Sequence, residues 1–248
     1  MASDSSKKTL SRRQFLKVGA AAATTAATLP ATVASATTKQ SIHYAMVIDT
    51  RRCIGCHACS VACKTEFEVP LGESRSWVEY VEKGIFPNVR RSFLPRLCNH
   101  CDEPDCVDVC PTGATYKIAS NGIVDITKDI CIGCGYCIQA CPYGARFLNP
   151  ETGTADKCNF CLHRVSEGLV PSCVNTCQGR ARIFGDINDP DSEISRVLAT
   201  NAVSVLRPEM GTKPNVFYID ADHTDERDAE RYNTYVRIDT HRRQKRRV

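Results

Sequence analysis

The sequence predicts an α+β fold of two tandem, interleaved modules with insertions and a C-terminal extension. Three observations predict it. All 16 cysteines of the 248 residues fall into four quartets with none left over: Cys53, Cys56, Cys59 and Cys63; Cys98, Cys101, Cys106 and Cys110; Cys131, Cys134, Cys137 and Cys141; Cys158, Cys161, Cys173 and Cys177. Short β-branched segments stand beside the quartets, so a strand-loop-quartet unit recurs along the chain, which implies repeated modules and not one continuous core. Aromatic residues make up only 7%, so a large hydrophobic core cannot be the only thing that holds the fold.

Spacing identifies the missing cross-links. Cys131 to Pro142 reads C-x-x-C-x-x-C-x-x-x-C-P, the bacterial ferredoxin run in which three thiolates hold one [4Fe-4S] cube and the fourth reaches a neighbouring cube. Two other chemistries compete for the same residues. Structural zinc uses two C-x-x-C pairs per tetrahedral site and leaves the three-in-a-row runs 53–59 and 131–137 unexplained. Disulfides need sulfur pairs of compatible geometry, a requirement that predicts no such period. Four [4Fe-4S] clusters account for every cysteine, and cluster binding to a site absent from the unfolded chain is itself folding free energy.

The loops should wrap three corners of a cube and aim backbone N–H groups at its sulfurs, which tunes the potential. Gly55, Gly133 and Gly135 supply the φ angles this needs. Pro111 and Pro142 turn the chain away after the fourth ligand, whereas Cys63 and Cys177 are followed by Lys64 and Gln178. The pairing of two-cluster ferredoxins, carried onto these runs, gives two bacterial-ferredoxin-like modules. In the inner one, Cys98, Cys101, Cys106 and Cys141 hold one cube and Cys131, Cys134, Cys137 and Cys110 the other. In the outer one the sets are Cys53, Cys56, Cys59 and Cys177, and Cys158, Cys161, Cys173 and Cys63, the latter spanning a loop between Cys161 and Cys173.

In chain order, residues 1–36 are expected to be a cleaved export signal. Ser11 Arg12 Arg13 Gln14 Phe15 Leu16 Lys17 precedes an Ala/Thr stretch and Ala34 Ser35 Ala36, a twin-arginine pattern. The stretch is Ala and Thr and contains Pro30, so it makes a poor membrane anchor, and no other apolar run reaches spanning length. A periplasmic destination fits the thiols, because such signals resemble those of proteins that take up cofactors before export from a reducing compartment.

Residues 37–95 form the first part of the outer module. His43 to Asp49 reads as a strand. An insertion over 64–97 carries Trp77, Tyr80, Phe86 and Phe93, which read as ordinary packing of an inserted loop, with Trp77 the candidate cluster cover. Residues 96–149 are the inner two-cluster module. Asn121-Gly122 between Ala114–Ile118 and Ile123–Ile126 is a hairpin signal, and Ala145 to Leu148 is the next strand. Residues 150–220 complete the outer module, with a strand at Ala181–Ile187, a helix capped by Asp191 or Ser192 with Ile194, Val197 and Leu198 at helical spacing, and a last strand at Val216–Asp220. The charged tail 221–248 reads as solvated, with docking to an acidic partner or membrane surface as the alternative.

The charge balance gives a nucleic-acid function no support. Taking the five basic groups and one acid of residues 1–36 from the 32 Lys and Arg and 28 Asp and Glu leaves 27 of each. Four clusters, each carrying about two negative charges, would make the mature protein acidic by roughly eight units. No Ser-His-Asp order, G-x-S-x-G elbow or P-loop suggests a catalytic site of its own. His57, His100 and His163 sit among the cysteines, but with 16 thiolates for 16 sites they are expected beside the ligands or on the surface. Lys157 and Arg164 flank the last quartet and are placed to raise its cluster potential.

The runs RRCIGCHAC, RLCNHCDEPDCVDVCPTGA, CIGCGYCIQACPYGARF, TADKCNFCLHR and GDINDP resemble the four-cluster electron-transfer subunits of molybdopterin oxidoreductase complexes, over about residues 43–220. PRLCNHC, ACPYGARF and RPEMGTKPNVFY are most similar to the tetrathionate reductase branch. The resemblance implies a wire between a quinol-oxidising membrane subunit and a molybdopterin-containing catalytic subunit, with the chain membrane-associated only through a partner. Two alternatives stand: the iron-sulfur protein of a formate-dependent nitrite reductase type quinol-to-cytochrome pathway, and an independent soluble polyferredoxin carrier.

Overall fold

A computed structural model describes residues 41–221. The export segment at 1–36 and the tail from residue 222 onward lie outside the described residues. The strands are β1 (Tyr44–Asp49), β2 (Ser76–Lys83), β3 (Arg90–Leu97), β4 (Thr115–Lys117), β5 (Val124–Ile126), β6 (Arg146–Leu148), β7 (Ala155–Lys157), β8 (Arg182–Asp186), β9 (Val203–Ser204) and β10 (Val216–Ile219). The helices are α1 (Ala58–Phe67), α2 (Asp105–Asp108), α3 (Tyr136–Gln139), α4 (Leu162–Val165), α5 (Ser172–Asn175) and α6 (Glu193–Thr200). The described chain is therefore α+β, as expected.

Both ends of the cysteine framework meet in one four-stranded sheet of order β8-β1-β10-β9. The run Ala45 to Ile48 is fully buried, as suits a central strand covered on both faces. It pairs parallel with β10, Met46 opposite Val216, and antiparallel with β8, Met46 opposite Phe184. One face packs Met46, Ile48, Val216 and Tyr218 towards the cysteine loops, while the other packs Ala45, Val47, Ile183 and Ile219 against Ile194 of α6. Burying Ile194 contributes about 2 kcal/mol. Ser192 is the cap that starts α6, its Oγ accepting the Ser195 N–H at 3.2 Å.

The predicted hairpin forms as β4 against β5, with a turn longer than the two residues Asn-Gly alone would make. Ile118 N–H still reaches the Ile123 carbonyl at 2.8 Å, so pairing ends there. Asn121 Oδ1 accepts the Ile123 N–H at 3.0 Å and Gly122 takes φ +75°, so these two residues close the turn.

The stretch read as an inserted loop is the longest hairpin of the described residues, β2 against β3 with Ser76 opposite Leu97 and Lys83 opposite Arg90. Its alternation is masked because each face of the hairpin carries a charged pair among its apolar residues: Arg96 bonds Glu79 at 2.7 Å on one face and Arg91 bonds Glu82 at 2.8 Å on the other. Trp77 follows the packing reading, with its Nε1 on Glu79 at 3.1 Å and the Arg96 guanidinium 5.4 Å from its ring centre. The β6-β7 pair also brings in a strand, Ala155–Lys157, that three residues between turns do not announce. At the fourth cysteines, α1 runs on through Cys63 to Phe67, because Lys64 permits what a proline would stop. The helices before Cys110-Pro111 and Cys141-Pro142 are single turns.

Candidate iron-sulfur centres

Four loops present the cysteines, and in each the residue just before the second cysteine turns left-handed: Gly55 at φ +69°, His100 at +45°, Gly133 at +68° and Phe160 at +54°. This conformation wraps the loop so that thiols two residues apart point inward. At Gly133 a side chain is excluded twice, by φ and by the Gly153 carbonyl oxygen that a Cβ would strike.

The loops bring together thiols from different runs. Cys98, Cys101, Cys106 and Cys141 line one cavity, and Cys53, Cys56, Cys59 and Cys177 line another. A third group gathers around Cys63. Burial, with charge on Cys173 and Cys161, pushes its thiol up to about 12, and burial, with Cys63 and Cys173, pushes Cys158 well up. No pair is joined by a disulfide. Among the described residues no three His, Cys, Asp or Glu side chains converge tightly enough to hold a single metal ion.

Burial pushes eight of these thiols up: Cys53, Cys63, Cys101, Cys106, Cys141, Cys158, Cys161 and Cys173. It pushes Cys101 to about 12, and Cys106 and Cys161 to about 11. A metal must displace the thiol protons, so binding is linked to proton release. Cys110 is shifted the other way. Slight burial is outweighed by the backbone N–H groups of Thr115, Thr112 and Ala114 and by the Thr112 hydroxyl, which bring it to about 7. N–H donors also reach sulfur from Ala155 to Cys131 (3.4 Å), Phe160 to Cys158 (3.4 Å) and Ala181 to Cys177 (3.2 Å).

The surroundings fit an anionic, sulfide-bearing group. Asn99 lines the first cavity at 1% exposure, and neither its amide nitrogen nor its oxygen has a hydrogen-bond partner. A buried unpaired donor is costly, and a cluster sulfur would satisfy it. Lys157 is 2% exposed and donates to the Cys158 carbonyl at 2.8 Å and to the Val124 carbonyl. Arg182 donates to Cys59 Sγ at 3.5 Å and Cys173 Sγ at 3.7 Å, and Arg146 to Cys106 Sγ at 3.0 Å. Among the described residues no carboxylate pairs with any of these three cations. Buried charge without a counter-charge is strongly unfavourable, and a dianionic cluster held by the neighbouring thiols would remove the deficit.

Lys157 is buried with its ammonium on those two carbonyls, whereas Arg164 is partly neutralised by Glu66 at 3.6 Å and spends its Nε on the Val170 carbonyl. His57 meets the Tyr80 hydroxyl at 2.5 Å and His163 meets Glu66 at 2.7 Å. His100 is fully buried, its Nδ1 accepting the Val124 N–H at 3.1 Å. Burial, with Lys157, Arg146 and Lys117 adding to it, holds this imidazole well below the usual histidine range. Arg146, Arg182 and Asn99 are the residues the sequence reading passed over. Their signal was positional: each arginine follows the last cysteine of its run at the same interval, and each asparagine of Cys-Asn-His-Cys and Cys-Asn-Phe-Cys sits inside a ligand pair.

Comparison with known proteins agrees with this geometry. Residues 89–187 match the 4Fe-4S dicluster domain, residues 46–67 the 4Fe-4S binding domain, and residues 9–29 the TAT (twin-arginine translocation) pathway signal sequence. The chain is 52% identical to a tetrathionate reductase subunit of Salmonella typhimurium over 72% of its own length and 73% of that protein. It is 44% identical to protein NrfC of Escherichia coli over 85% of its length and 96% of NrfC, and 42% identical to a selenate reductase subunit of Mesobacillus selenatarsenatis over 72% of each chain. Loops that gather thiols from separate runs around anion-seeking cations, matched over most of their length by these relatives, place the chain in the family of 4Fe-4S proteins that includes this tetrathionate reductase subunit and protein NrfC.

Proposed function

We propose that this chain is the electron-transfer subunit of an exported respiratory reductase of the tetrathionate or polysulfide type, and that it carries four [4Fe-4S] clusters in two interleaved modules. The observation that carries the reading is the mixed origin of the thiols around each cavity: three from one run and one from a distant run, in the sets Cys98, Cys101, Cys106 with Cys141 and Cys53, Cys56, Cys59 with Cys177. The third set is Cys158, Cys161 and Cys173 with Cys63. The fourth, Cys131, Cys134 and Cys137 with Cys110, follows from the repeat.

Clusters of this kind supply one-electron transfer when bound. The residues argue for a single line of four. Burial raises the Cys173 thiol, Arg182 draws it back, and charge on Cys59 adds to the rise, so the two outer sets adjoin. Charge on Cys98 reaches Cys158, so an outer set adjoins an inner one. Arg146 faces Cys106, Cys98 and Cys137, which links the two inner sets. Cys56 and Cys134, in the sets at opposite ends of this line, are the two exposed cysteines. An end that reaches the surface is where a partner can deliver or collect an electron.

The partners are a molybdopterin-containing catalytic subunit and a quinol-oxidising membrane subunit, with the chain held at the periplasmic side of the membrane through the latter. No helix of the described residues is long and apolar enough to cross a membrane. The nitrite reductase type pathway keeps the same chain and changes only its partner. Anaerobic isolation of the tagged full chain tests the reading. Iron and acid-labile sulfide in equal amounts, filling four clusters, with a molybdoprotein co-purifying, is the expected result. Zinc in place of iron, or a lone monomer that reduces acceptors by diffusion, overturns it.

A further inference from the structure

Two buried arginines occupy the same place in the two halves of the cysteine framework. Arg146 lies five residues after Cys141 and Arg182 five after Cys177, each directly following an alanine. Arg146 donates Nη2 to Cys106 Sγ at 3.0 Å and Nη1 to the Thr115 hydroxyl at 3.2 Å. Arg182 donates Nη2 to Cys59 Sγ at 3.5 Å and to the Ser76 hydroxyl at 2.9 Å, while its Nη1 reaches Cys173 Sγ at 3.7 Å.

The correspondence extends to which sulfur is touched. Cys106 and Cys59 are the third cysteines of the first run in their respective halves; Cys173 is the third of the second run, and so is Cys137, which lies near enough to Arg146 to act on its charge. The anchoring hydroxyl in each half belongs to the first strand after the first run, Thr115 on β4 and Ser76 on β2, and both are 2% exposed. Burial works against the charge of either guanidinium, yet arginine keeps its proton, and the groups it faces are sulfur: Cys106 beside Arg146, and Cys59 and Cys173 beside Arg182. An arginine that served only to pin strands would be expected to carry a carboxylate. These two carry sulfur on both sides.

We propose that Arg146 and Arg182 are positioning residues that set the reduction potentials of the cluster pair each one bridges. Reduction adds one negative charge to a cluster, and a fixed cation in a water-poor interior favours that added charge. A guanidinium shared by two clusters raises both potentials. It also offsets the repulsion between two reduced neighbours, so that both can hold an electron at once. The planar fork suits the task because it offers donors to two sulfurs and a hydroxyl together and never loses its proton.

The proposal rests on the four-cluster reading, so the test begins with iron and sulfide content of the anaerobically prepared wild-type protein. Redox titration followed by electron paramagnetic resonance then compares wild type with Arg182→Gln, Arg182→Lys and Arg146→Gln. In Arg182→Gln, two of the four potentials are expected to fall by at least about tenfold in the reduction equilibrium, about 59 mV for one electron, with the other two in place. Arg146→Gln moves the complementary two. Arg182→Lys, which keeps the charge, holds both near their wild-type values. Full iron in Arg182→Gln with no potential moved overturns the proposal. So does an Arg182→Lys variant whose potentials fall as far as those of the glutamine variant, since contact geometry would then outweigh charge. Failure of both variants to take up iron also overturns it and leaves a purely structural arginine. A wild-type protein without iron instead sinks the four-cluster reading, and this proposal with it.

Discussion

His100 and Phe160 stack with ring centroids 3.7 Å apart and 27° between their planes. Each ring stands at the same position of its own loop, in Cys98-Asn-His-Cys101 and Cys158-Asn-Phe-Cys161, where the other two loops use glycine. A left-handed non-glycine residue costs about 1–3 kcal/mol, and an aromatic pair returns about 0.5–1.5 kcal/mol beyond its buried area. The stack therefore offsets part of the strain and fastens the loop of one cluster set to the loop of the next. Phe160→Ala is expected to destabilise the protein by about 3–5 kcal/mol, read as faster bleaching of the visible cluster absorbance in denaturant. Phe160→Gly tolerates the backbone angle and should bleach more slowly than the alanine variant despite its smaller side chain. The reverse order would show that backbone strain at 160 is negligible.

Arg75 and Asp156 form an ion pair at 2.6 Å, each side chain 6% exposed, and the guanidinium also lies 3.9 Å from the centre of the Phe67 ring. The pair ties β7 to the chain entering β2. Asp156→Ala leaves the arginine charge buried and alone, at an expected cost of about 3–5 kcal/mol. Replacing both residues, Arg75→Met with Asp156→Leu, should recover most of that loss, because two apolar groups of similar volume need no partner. Bleaching rates of the two variants decide it. A double variant no better than Asp156→Ala would mean that the pair is not coupled as its geometry suggests.

The cysteine runs that line the cavities were legible because their spacing imposes its own period on the chain, and the sheet was legible where β-branched residues are continuous, as from Tyr44 to Asp49. The β2-β3 hairpin was not, since Glu79, Glu82, Arg91 and Arg96 pair across strands and look like loop charges until the register is known. Three-residue strands such as β7 carry too few positions to show alternation. Arg182 was passed over for a different reason. Its partners Cys59 and Ser76 are more than a hundred residues away in sequence, so only the fold reveals that its charge faces sulfur. The same is true of Asn99, whose importance lies in donors without partners.

Export provides a separate test. Residues 9–29 match the twin-arginine signal, and Arg12 and Arg13 are the pair that defines it. Changing both to lysine keeps the charge and removes the recognition feature, so the protein should remain in the cytoplasm with its iron retained. Cell fractionation and iron content measured together separate a targeting defect from a folding defect. Undiminished export would reject the role assigned to the two arginines.

The proposed interleaving of the quartets makes the sharpest prediction, because it assigns which distant cysteines share a cluster. Cys53→Ser and Cys177→Ser should abolish or distort the same paramagnetic signal, although 177 lies in the last run. Cys63→Ser and Cys158→Ser should share another, and Cys134→Ser and Cys110→Ser a third. If each run instead held its own cube, Cys177→Ser would match Cys158→Ser. The thiols lining the cavity of Cys53, Cys56 and Cys59 include Cys177, and charge on Cys173 and Cys161 acts on Cys63. The structure thus favours the crossed outcome. A serine oxygen can still bind iron weakly, so a shifted potential with a retained signal counts with loss. Two variants of one set that perturb different signals would break the assignment.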